Sequence, residues 1–253
     1  MDSFISKGKN LIGHLVSGED RPILSEARIL NEAINRNKRC IFIAIPKTGT
    51  SSVRVQLREE GKPLIPNAHL DIQQVRQVLH FEKLRTSLGR NRSFPSDSVV
   101  LSNKEILAEA EEEFRSLFKF SAVRNPWARA VSLYYRNEGV RLKDKMSFKE
   151  FCAKHRYASD TCLHPTLHKN QFDWLCDDQD QLLMDYVYKT EDFEKAIGDI
   201  EEMTQGRIIL KNIRENKNPD SKSSNYREMY DDETRKIIQQ HFEKDIDMFK
   251  FTF

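Results

Sequence analysis

Cysteine, glycine and proline are all scarce in this chain of 253 residues, which contains four, nine and eight of them. The cysteines, at positions 40, 152, 162 and 176, are too few and too irregularly spaced to form a disulfide scaffold. Low glycine and proline, with 38% hydrophobic residues, exclude fibrous and low-complexity classes. We therefore expect a single globular domain in a reducing compartment.

Long apolar runs and a strong net charge are also absent. No stretch approaches the length of a membrane span, and the first sixteen residues lack the apolar centre of a signal peptide. The 41 basic and 39 acidic residues leave a formal net charge of only +2, so any positive site must be local. We expect a cytoplasmic protein without a membrane span and without nucleic acid as a partner.

Strand-like and helix-like segments alternate along the chain, which predicts a parallel sheet between helices. Apolar runs at 40–45 and 117–123 are typical of strands buried on both faces. Further strands are predicted at 98–102, 182–188 and 207–210, and helices at 71–88, 104–114, 191–203 and 231–249. The prediction is an α/β fold in one domain of residues 1–253, with its core at 40–253 and a helical leader at 1–37.

A loop of small residues, Pro-Lys-Thr-Gly-Thr-Ser-Ser, occupies positions 46–52 after the first apolar run. Backbone N–H groups at a helix N-terminus attract anions when small residues expose them, and hydroxyl groups add donors. The kinase and ATPase loop G-x-x-x-x-G-K-[ST] is a poor match, because lysine here precedes the only glycine. The predicted phosphate ligands are Lys47, Thr48, Gly49, Thr50, Ser51 and Ser52.

An arginine ends the second apolar run, in the sequence Arg-Asn-Pro-Trp-Ala-Arg-Ala-Val-Ser at positions 124–132. Asn125 and Pro126 are typical of a helix N-cap and of the first helical position. Ser132 follows Arg124 by about two helical turns. A guanidinium and a hydroxyl so placed can share one phosphate. The two motifs together predict a site for a doubly phosphorylated nucleotide.

Both motifs resemble those of sulfotransferases that use 3′-phosphoadenosine 5′-phosphosulfate. Positions 124–134 match the family's 3′-phosphate element, R-[DN]-P-x-x-R-x-x-S-x-Y, at every fixed position. The resemblance implies a P-loop-like fold, with Lys47 at the bridging 5′-phosphate and with Arg124 and Ser132 at the 3′-phosphate. Later blocks look like the carbohydrate branch and extend the likeness over about 40–253. Lys189, where the family usually has arginine, departs from the pattern.

The resemblance implies transfer of a sulfuryl group from that nucleotide to a hydroxyl of a saccharide or other small acceptor. Ser52 points toward sugar-type acceptors, because the cytosolic branch usually has tryptophan there. Adenosine 3′,5′-bisphosphate would be the product, and no metal is required, since Lys47 and the loop amides can stabilise the departing phosphate. The alternatives are a P-loop nucleotide kinase-like phosphotransferase and a non-catalytic nucleotide-binding relative. The oligomeric state stays open.

Sulfuryl transfer also needs a general base, which in the carbohydrate branch commonly lies between the two phosphate motifs. His69 resembles the family's histidine, and the alternative is a solvated loop residue before a helix capped by Asp71. Glu105 is the other candidate, unless it only begins a helix, and His80 is expected to pack. The catalytic candidates are thus Lys47, His69 and Glu105.

Two further groups of residues deserve separate predictions. Tyr226 and Arg227 follow a polar loop at 212–225 and are candidates for contacts to the donor nucleotide. Cys162, His164, His168 and Cys176 are of zinc-ligating types, but their spacing matches no common zinc module. No metal site is predicted.

Overall fold

A computed structural model describes residues 32–58, 69–90, 102–135, 142–153, 169–213 and 225–253. One sheet of four strands lies within these residues, in the order β1-β2-β3-β4. The strands are β1 (Ile34–Asn35), β2 (Cys40–Ile43), β3 (Phe118–Val123) and β4 (Tyr186–Lys189). β1 is antiparallel to β2, whereas β2, β3 and β4 are mutually parallel, as the alternating pattern predicts. Their carboxyl ends therefore share one edge of the sheet.

Eight α-helices surround this sheet in the described residues. They are α1 (Thr50–Leu57), α2 (Ile72–Arg90), α3 (Asn103–Ser116), α4 (Pro126–Tyr134), α5 (Phe148–Ala153), α6 (Phe193–Met203), α7 (Asp232–His241) and α8 (Glu243–Phe249). Short 3-10 turns stand at Leu142–Asp144, Phe172–Trp174, Thr190–Asp192 and Tyr226–Met229. The fold is an α/β domain with a mostly parallel central sheet, which confirms the predicted class.

Both faces of the central strands are buried, because successive side chains of a strand point to opposite sides. Ile41 and Ile43 join one apolar cluster with residues of α2, α3, α4 and α7. Phe42 and Phe120 join a second cluster with residues of α1 and α6. The continuous apolar runs of the sequence follow directly from this double burial.

The end of the predicted helical leader is wrong, because Ile34 lies in β1 and residues 36–39 form a turn into β2. The side chain of Asn35 fixes this turn: its Oδ1 accepts the N–H of Lys38 at 2.7 Å, and its Nδ2 donates to the Leu57 carbonyl at 2.7 Å. A helical spacing of apolar residues cannot reveal such bonds. Residues 1–31 of the leader lie outside the described part.

Two other element predictions also differ from the structure. Residues 207–210 form no strand, although Ile208 and Leu210 are buried in the second cluster. The predicted closing helix divides at Phe242 into α7 and α8. The predicted strand at 98–102 lies outside the described residues except for Ser102, which is the N-cap of α3.

Candidate active site

The loop from Pro46 to Gly49 joins the carboxyl end of β2 to helix α1. Lys47 and Gly49 both have positive φ, at 67° and 75°, and Gly49 is the left-handed N-cap of α1. Gly49 has no side chain that could cap this helix start, so the first N–H groups face the position that a capping oxygen or an anion takes. The geometry is that of an anion-binding turn.

Thr48 has a structural role in this loop as well as the predicted ligand role. Its side chain is buried, and its hydroxyl donates to the Ile45 carbonyl at 3.0 Å. Thr50 is also buried, whereas Ser51 and Ser52 are half-buried. The hydroxyls of the loop are therefore unequal, and the Thr48 side chain mainly holds the turn.

Arg124 connects the second motif to the loop. It follows β3 directly, and its Nη1 donates to the Lys47 carbonyl at 3.3 Å. Burial lowers the pKa of the Arg124 guanidinium, and the negative charge of Glu191 opposes this effect. The structure thus brings together the two motifs that the sequence places 77 residues apart.

Helix α4 begins as the sequence predicts. The Oδ1 atom of Asn125 accepts the N–H groups of Trp127 at 3.1 Å and Ala128 at 3.3 Å, and Pro126 occupies the first turn. Ser132 is half-buried on this helix, and its side chain makes no hydrogen bond to the described residues. A hydroxyl in that setting can bind a ligand oxygen.

Arg129, the second arginine of the motif, is buried beneath the loop. Its Nε donates to the Pro46 carbonyl at 3.1 Å, and its guanidinium lies 5.7 Å from the centre of the Phe242 ring. Burial lowers the pKa of Arg129 to about 10, an effect that the carboxylate of Asp245 opposes. The group remains a cation at neutral pH and stabilises the loop from inside.

The start of the segment after β4 touches both motifs. The Thr190 hydroxyl lies 2.9 Å from the Thr48 carbonyl oxygen and 3.0 Å from that of Val123, so its one proton serves two acceptors. A Cβ at Gly49 would lie 3.1 Å from the Thr190 methyl group, closer than ordinary contact. Glu191 accepts the N–H of Asn125 at 3.1 Å. This segment therefore supports the loop and the Arg124 turn together.

Tyr226 and Arg227 also lie near the second motif. The Arg227 guanidinium stands 4.8 Å from the Tyr226 ring centre, and that ring packs edge-on against Phe253. Burial raises the pKa of Tyr226, and a hydrogen bond from the Asn125 side chain works in the opposite direction. Asn125 also donates to the Thr252 carbonyl at 2.8 Å. Tyr226 therefore lies beside the residue that follows Arg124, and Arg227 packs on the Tyr226 ring.

His69 lies at the carboxyl end of β2. Its Nδ1 is 2.6 Å from the carbonyl oxygen of Ala44, the residue after that strand. A carbonyl oxygen only accepts, so Nδ1 carries a hydrogen, and in the neutral form of the ring the lone pair would be on Nε2. Asp71 caps α2 by accepting the Gln74 N–H at 2.8 Å, which confirms the alternative that Asp71 is the N-cap of this helix. His69, however, is half-buried and is not merely a solvated loop residue.

Glu105 takes a capping role at the start of α3. Its carboxylate accepts the N–H of Ser102 at 2.6 Å. Hydrogen bonds with the backbone and side chain of Ser102 lower the pKa of the exposed Glu105 carboxyl. No hydrogen bond joins Glu105 to the loop in the described part of the chain. His80 contacts Glu111 at 2.7 Å and belongs to an ion cluster between α2 and α3, in keeping with its predicted packing role.

Among the described residues, one group could in principle ligate a metal: Asp173, Cys176 and Asp180. Lys244 already contacts this group, with its Nζ 2.7 Å from Asp173 and 2.6 Å from Asp180. Burial raises the pKa of the Cys176 thiol to about 11, which disfavours the thiolate that binds zinc. Cys162, His164 and His168 lie outside the described residues.

Sequence reasoning missed two residues that hold the site, Gln171 and Thr190. Gln171 is fully buried and contacts the backbone of Arg124 on both sides. Both residues lie in blocks with a family resemblance, and that is the one signal that could have found them. Neither residue type nor spacing identifies their partners, which are remote in sequence.

None of the described helices is long and apolar enough to cross a membrane.

Comparison with known proteins agrees with the geometry of the site. No curated protein and no solved structure matches the sequence. The sequence does match the Sulfotransferase family over residues 33–252, a range that includes both phosphate motifs, His69 and the segment after β4. The chain therefore belongs to the sulfotransferase family.

Proposed function

We propose that this chain transfers a sulfuryl group from 3′-phosphoadenosine 5′-phosphosulfate to a hydroxyl of a saccharide-type acceptor. The observation that carries the proposal is the hydrogen bond from Arg124 Nη1 to the Lys47 carbonyl at 3.3 Å. Through this hydrogen bond, Arg124, which is assigned to the 3′-phosphate, lies next to Lys47, which is assigned to the 5′-phosphosulfate. A donor with phosphate groups on both ends of its ribose fits two adjacent positive sites at one sheet edge.

The donor site has a distinct contribution from each motif. The N-terminus of α1 and the Lys47 ammonium would bind the 5′-phosphosulfate, with Gly49, Thr50, Ser51 and Ser52 supplying the nearby donors. Arg124 and Ser132 would bind the 3′-phosphate, and Tyr226 and Arg227 would flank it. No metal is needed for charge stabilisation, because the lysine and the amides serve the departing phosphate.

His69 is our candidate for the general base. The acceptor oxygen would attack sulfur while the bond from sulfur to the 5′-phosphate oxygen breaks and its electron pair stays with that oxygen. The acceptor proton would pass to His69 Nε2. The Ala44 carbonyl supports this role, because it holds the Nδ1–H tautomer at the end of β2. Glu105 is the less suitable candidate, since its carboxylate is engaged in the α3 cap.

The proposed acceptor class rests on the sequence, and the proposed compartment rests on the cysteines. A saccharide acceptor rests on the carbohydrate-branch likeness and on Ser52. A reducing compartment, and with it a cytoplasmic location, is supported by the thiols of Cys40 and Cys176, which are free in the described structure.

Ligand binding tests the donor assignment directly. We expect adenosine 3′,5′-bisphosphate to raise the melting temperature of the protein, and ATP with Mg²⁺ to raise it much less. Stabilisation by ATP with Mg²⁺ alone would favour the phosphotransferase alternative and overturn the proposal. A positive result leads to transfer assays with labelled donor and a panel of saccharides and small alcohols.

The assignment of the base is tested by a pair of variants in the same transfer assay. His69→Ala should lower kcat by about 10²- to 10⁴-fold. Glu105→Ala is the control and should keep kcat within about threefold, because it disturbs only a helix cap. The reverse order of effects would assign the base to Glu105, and full activity of both variants would place the base elsewhere.

A further inference from the structure

Gln171 binds the backbone of Arg124 through both ends of its carboxamide. Oε1 accepts the Arg124 N–H at 2.8 Å, and Nε2 donates to the Arg124 carbonyl at 2.8 Å. Arg124 stands one residue beyond the last paired position of β3, which is Val123. The side chain thus gives Arg124 the pair of hydrogen bonds that a neighbouring strand would otherwise supply.

Asp245 determines which way this carboxamide faces. Its Oδ2 lies 3.1 Å from Gln171 Nε2, and its Oδ1 accepts the N–H of Phe172 at 2.8 Å. An ionised carboxylate only accepts, so it can face the amide nitrogen and not the amide oxygen. Gln171 and Asp245 are both fully buried, which makes the flipped arrangement costly.

The same network returns to the phosphate loop. Burial raises the pKa of the Asp245 carboxyl, and the hydrogen bonds from Gln171 and Phe172 and the positive charge of Arg129 oppose this effect. The Nε of Arg129 in turn donates to the Pro46 carbonyl. Arg124, at the other end, donates to the carbonyl of the next residue, Lys47. A buried set of polar groups therefore links Arg124 to the loop by two routes.

We propose that Gln171 is a positioning residue that aims the Arg124 guanidinium at the 3′-phosphate, an inference that rests on the function proposed above. A fixed backbone at Arg124 fixes the direction in which its side chain leaves the chain. Recognition by a guanidinium tolerates only small angular errors, because two N–H groups must meet two oxygens. Loss of Gln171 would leave the positive charge of Arg124 in the site, but the orientation of its guanidinium would no longer be fixed.

The test compares two ligands that differ by the 3′-phosphate alone. The dissociation constants of adenosine 5′-phosphate and adenosine 3′,5′-bisphosphate are measured by titration calorimetry. The constant for the 5′-phosphate divided by the constant for the bisphosphate reports the strength of the 3′-phosphate contact. We expect Gln171→Met, which has similar length but no hydrogen-bonding group, to reduce this ratio by at least about tenfold. The affinity for adenosine 5′-phosphate should stay within about threefold of the wild type.

Val78→Ala is the matched control for lost stability. Val78 is fully buried in the core contact of α2, and the variant lowers stability by leaving a small cavity. It should melt at a lower temperature and keep the wild-type ratio. An equal loss of affinity for both ligands in Gln171→Met would show a merely structural role and overturn the inference.

The outcomes separate this inference from the proposed function. A wild-type protein that binds both ligands equally would contradict the function itself. A wild-type preference that Gln171→Met retains would overturn only the role of Gln171. Should Gln171→Met fail to fold, Gln171→Asn replaces it, because a side chain shorter by one methylene group cannot keep both hydrogen bonds to the Arg124 backbone. That variant should also lose the preference, and an unchanged ratio in it would overturn the inference.

Discussion

The phosphate loop is held by distant parts of the chain. Three successive carbonyl groups, those of Pro46, Lys47 and Thr48, accept bonds from side chains 83, 77 and 142 residues away. The small side chains of the loop can form few bonds that would hold Lys47 at its positive φ. The loop is therefore a product of the assembled sheet edge.

The Arg124 turn, in contrast, begins its helix with its own residues. Asn125 caps α4 through N–H groups two and three residues ahead, and Pro126 supplies the helical φ. What it needs from afar is the fixed direction of Arg124, which Gln171 supplies. The comparison indicates that the loop backbone depends on remote side chains, whereas the helix start of the turn depends on local residues and only the direction of Arg124 on a remote one.

Removal of the loop charge should have the largest effect and fall on turnover. We expect Lys47→Ala to lower kcat by about 10²- to 10³-fold, because in the proposed reaction the ammonium stabilises charge on the departing phosphate. Lys47→Gly is the matched variant, since glycine adopts a φ of 67° without strain. It should lose as much activity as Lys47→Ala. Its free energy of unfolding in denaturant should exceed that of Lys47→Ala by about 1 kcal/mol. A large difference in kcat between the two variants would contradict a role based on charge.

Removal of the charge at the turn should act on donor affinity. We expect Arg124→Ala to weaken binding of adenosine 3′,5′-bisphosphate by about 10- to 100-fold and to leave adenosine 5′-phosphate within about threefold. Titration calorimetry with the two nucleotides measures this. An equal loss for both would mean that Arg124 mainly shapes the loop through the Lys47 carbonyl, and the contrast between loop and turn would fail.

A remote change at Thr190 tests whether the loop is held from outside. Thr190→Val keeps a methyl group against Gly49 and removes the donor shared by two carbonyls, so we expect donor affinity to fall about threefold to tenfold. Thr190→Ser keeps the hydroxyl and should bind within about twofold of the wild type. Equal binding by all three proteins would show that the loop keeps its shape without this bond.

The smallest expected effect concerns the local cap of the turn. Asn125→Ala should lower stability by about 1 kcal/mol, or about 2–4 °C in melting temperature. Asn125→Ser retains a capping oxygen and should recover most of that loss. An unchanged melting temperature in Asn125→Ala would mean that α4 is held by its packing rather than by its own cap.

Local patterns predicted the elements whose causes are local. The apolar runs at 40–45 and 117–123 contain β2 and β3, and α4 begins at Pro126 as predicted. Two of the wrong predictions lie next to residues that have remote partners. Asn35 bonds to Leu57 and turns the chain into β2, and the break at Phe242 separates α7 from the helix that carries buried Asp245.

For the active site, the sequence by itself determined the inventory: a lysine loop, an arginine at a strand end, and a histidine between them. Backbone propensities and residue chemistry act over a few positions, so a string of letters can carry this information. The tertiary structure alone decided that Gln171, Thr190 and Arg129 hold these parts together. Their hydrogen bonds span 47 to 142 residues, and no local rule links groups that meet only when the sheet has formed.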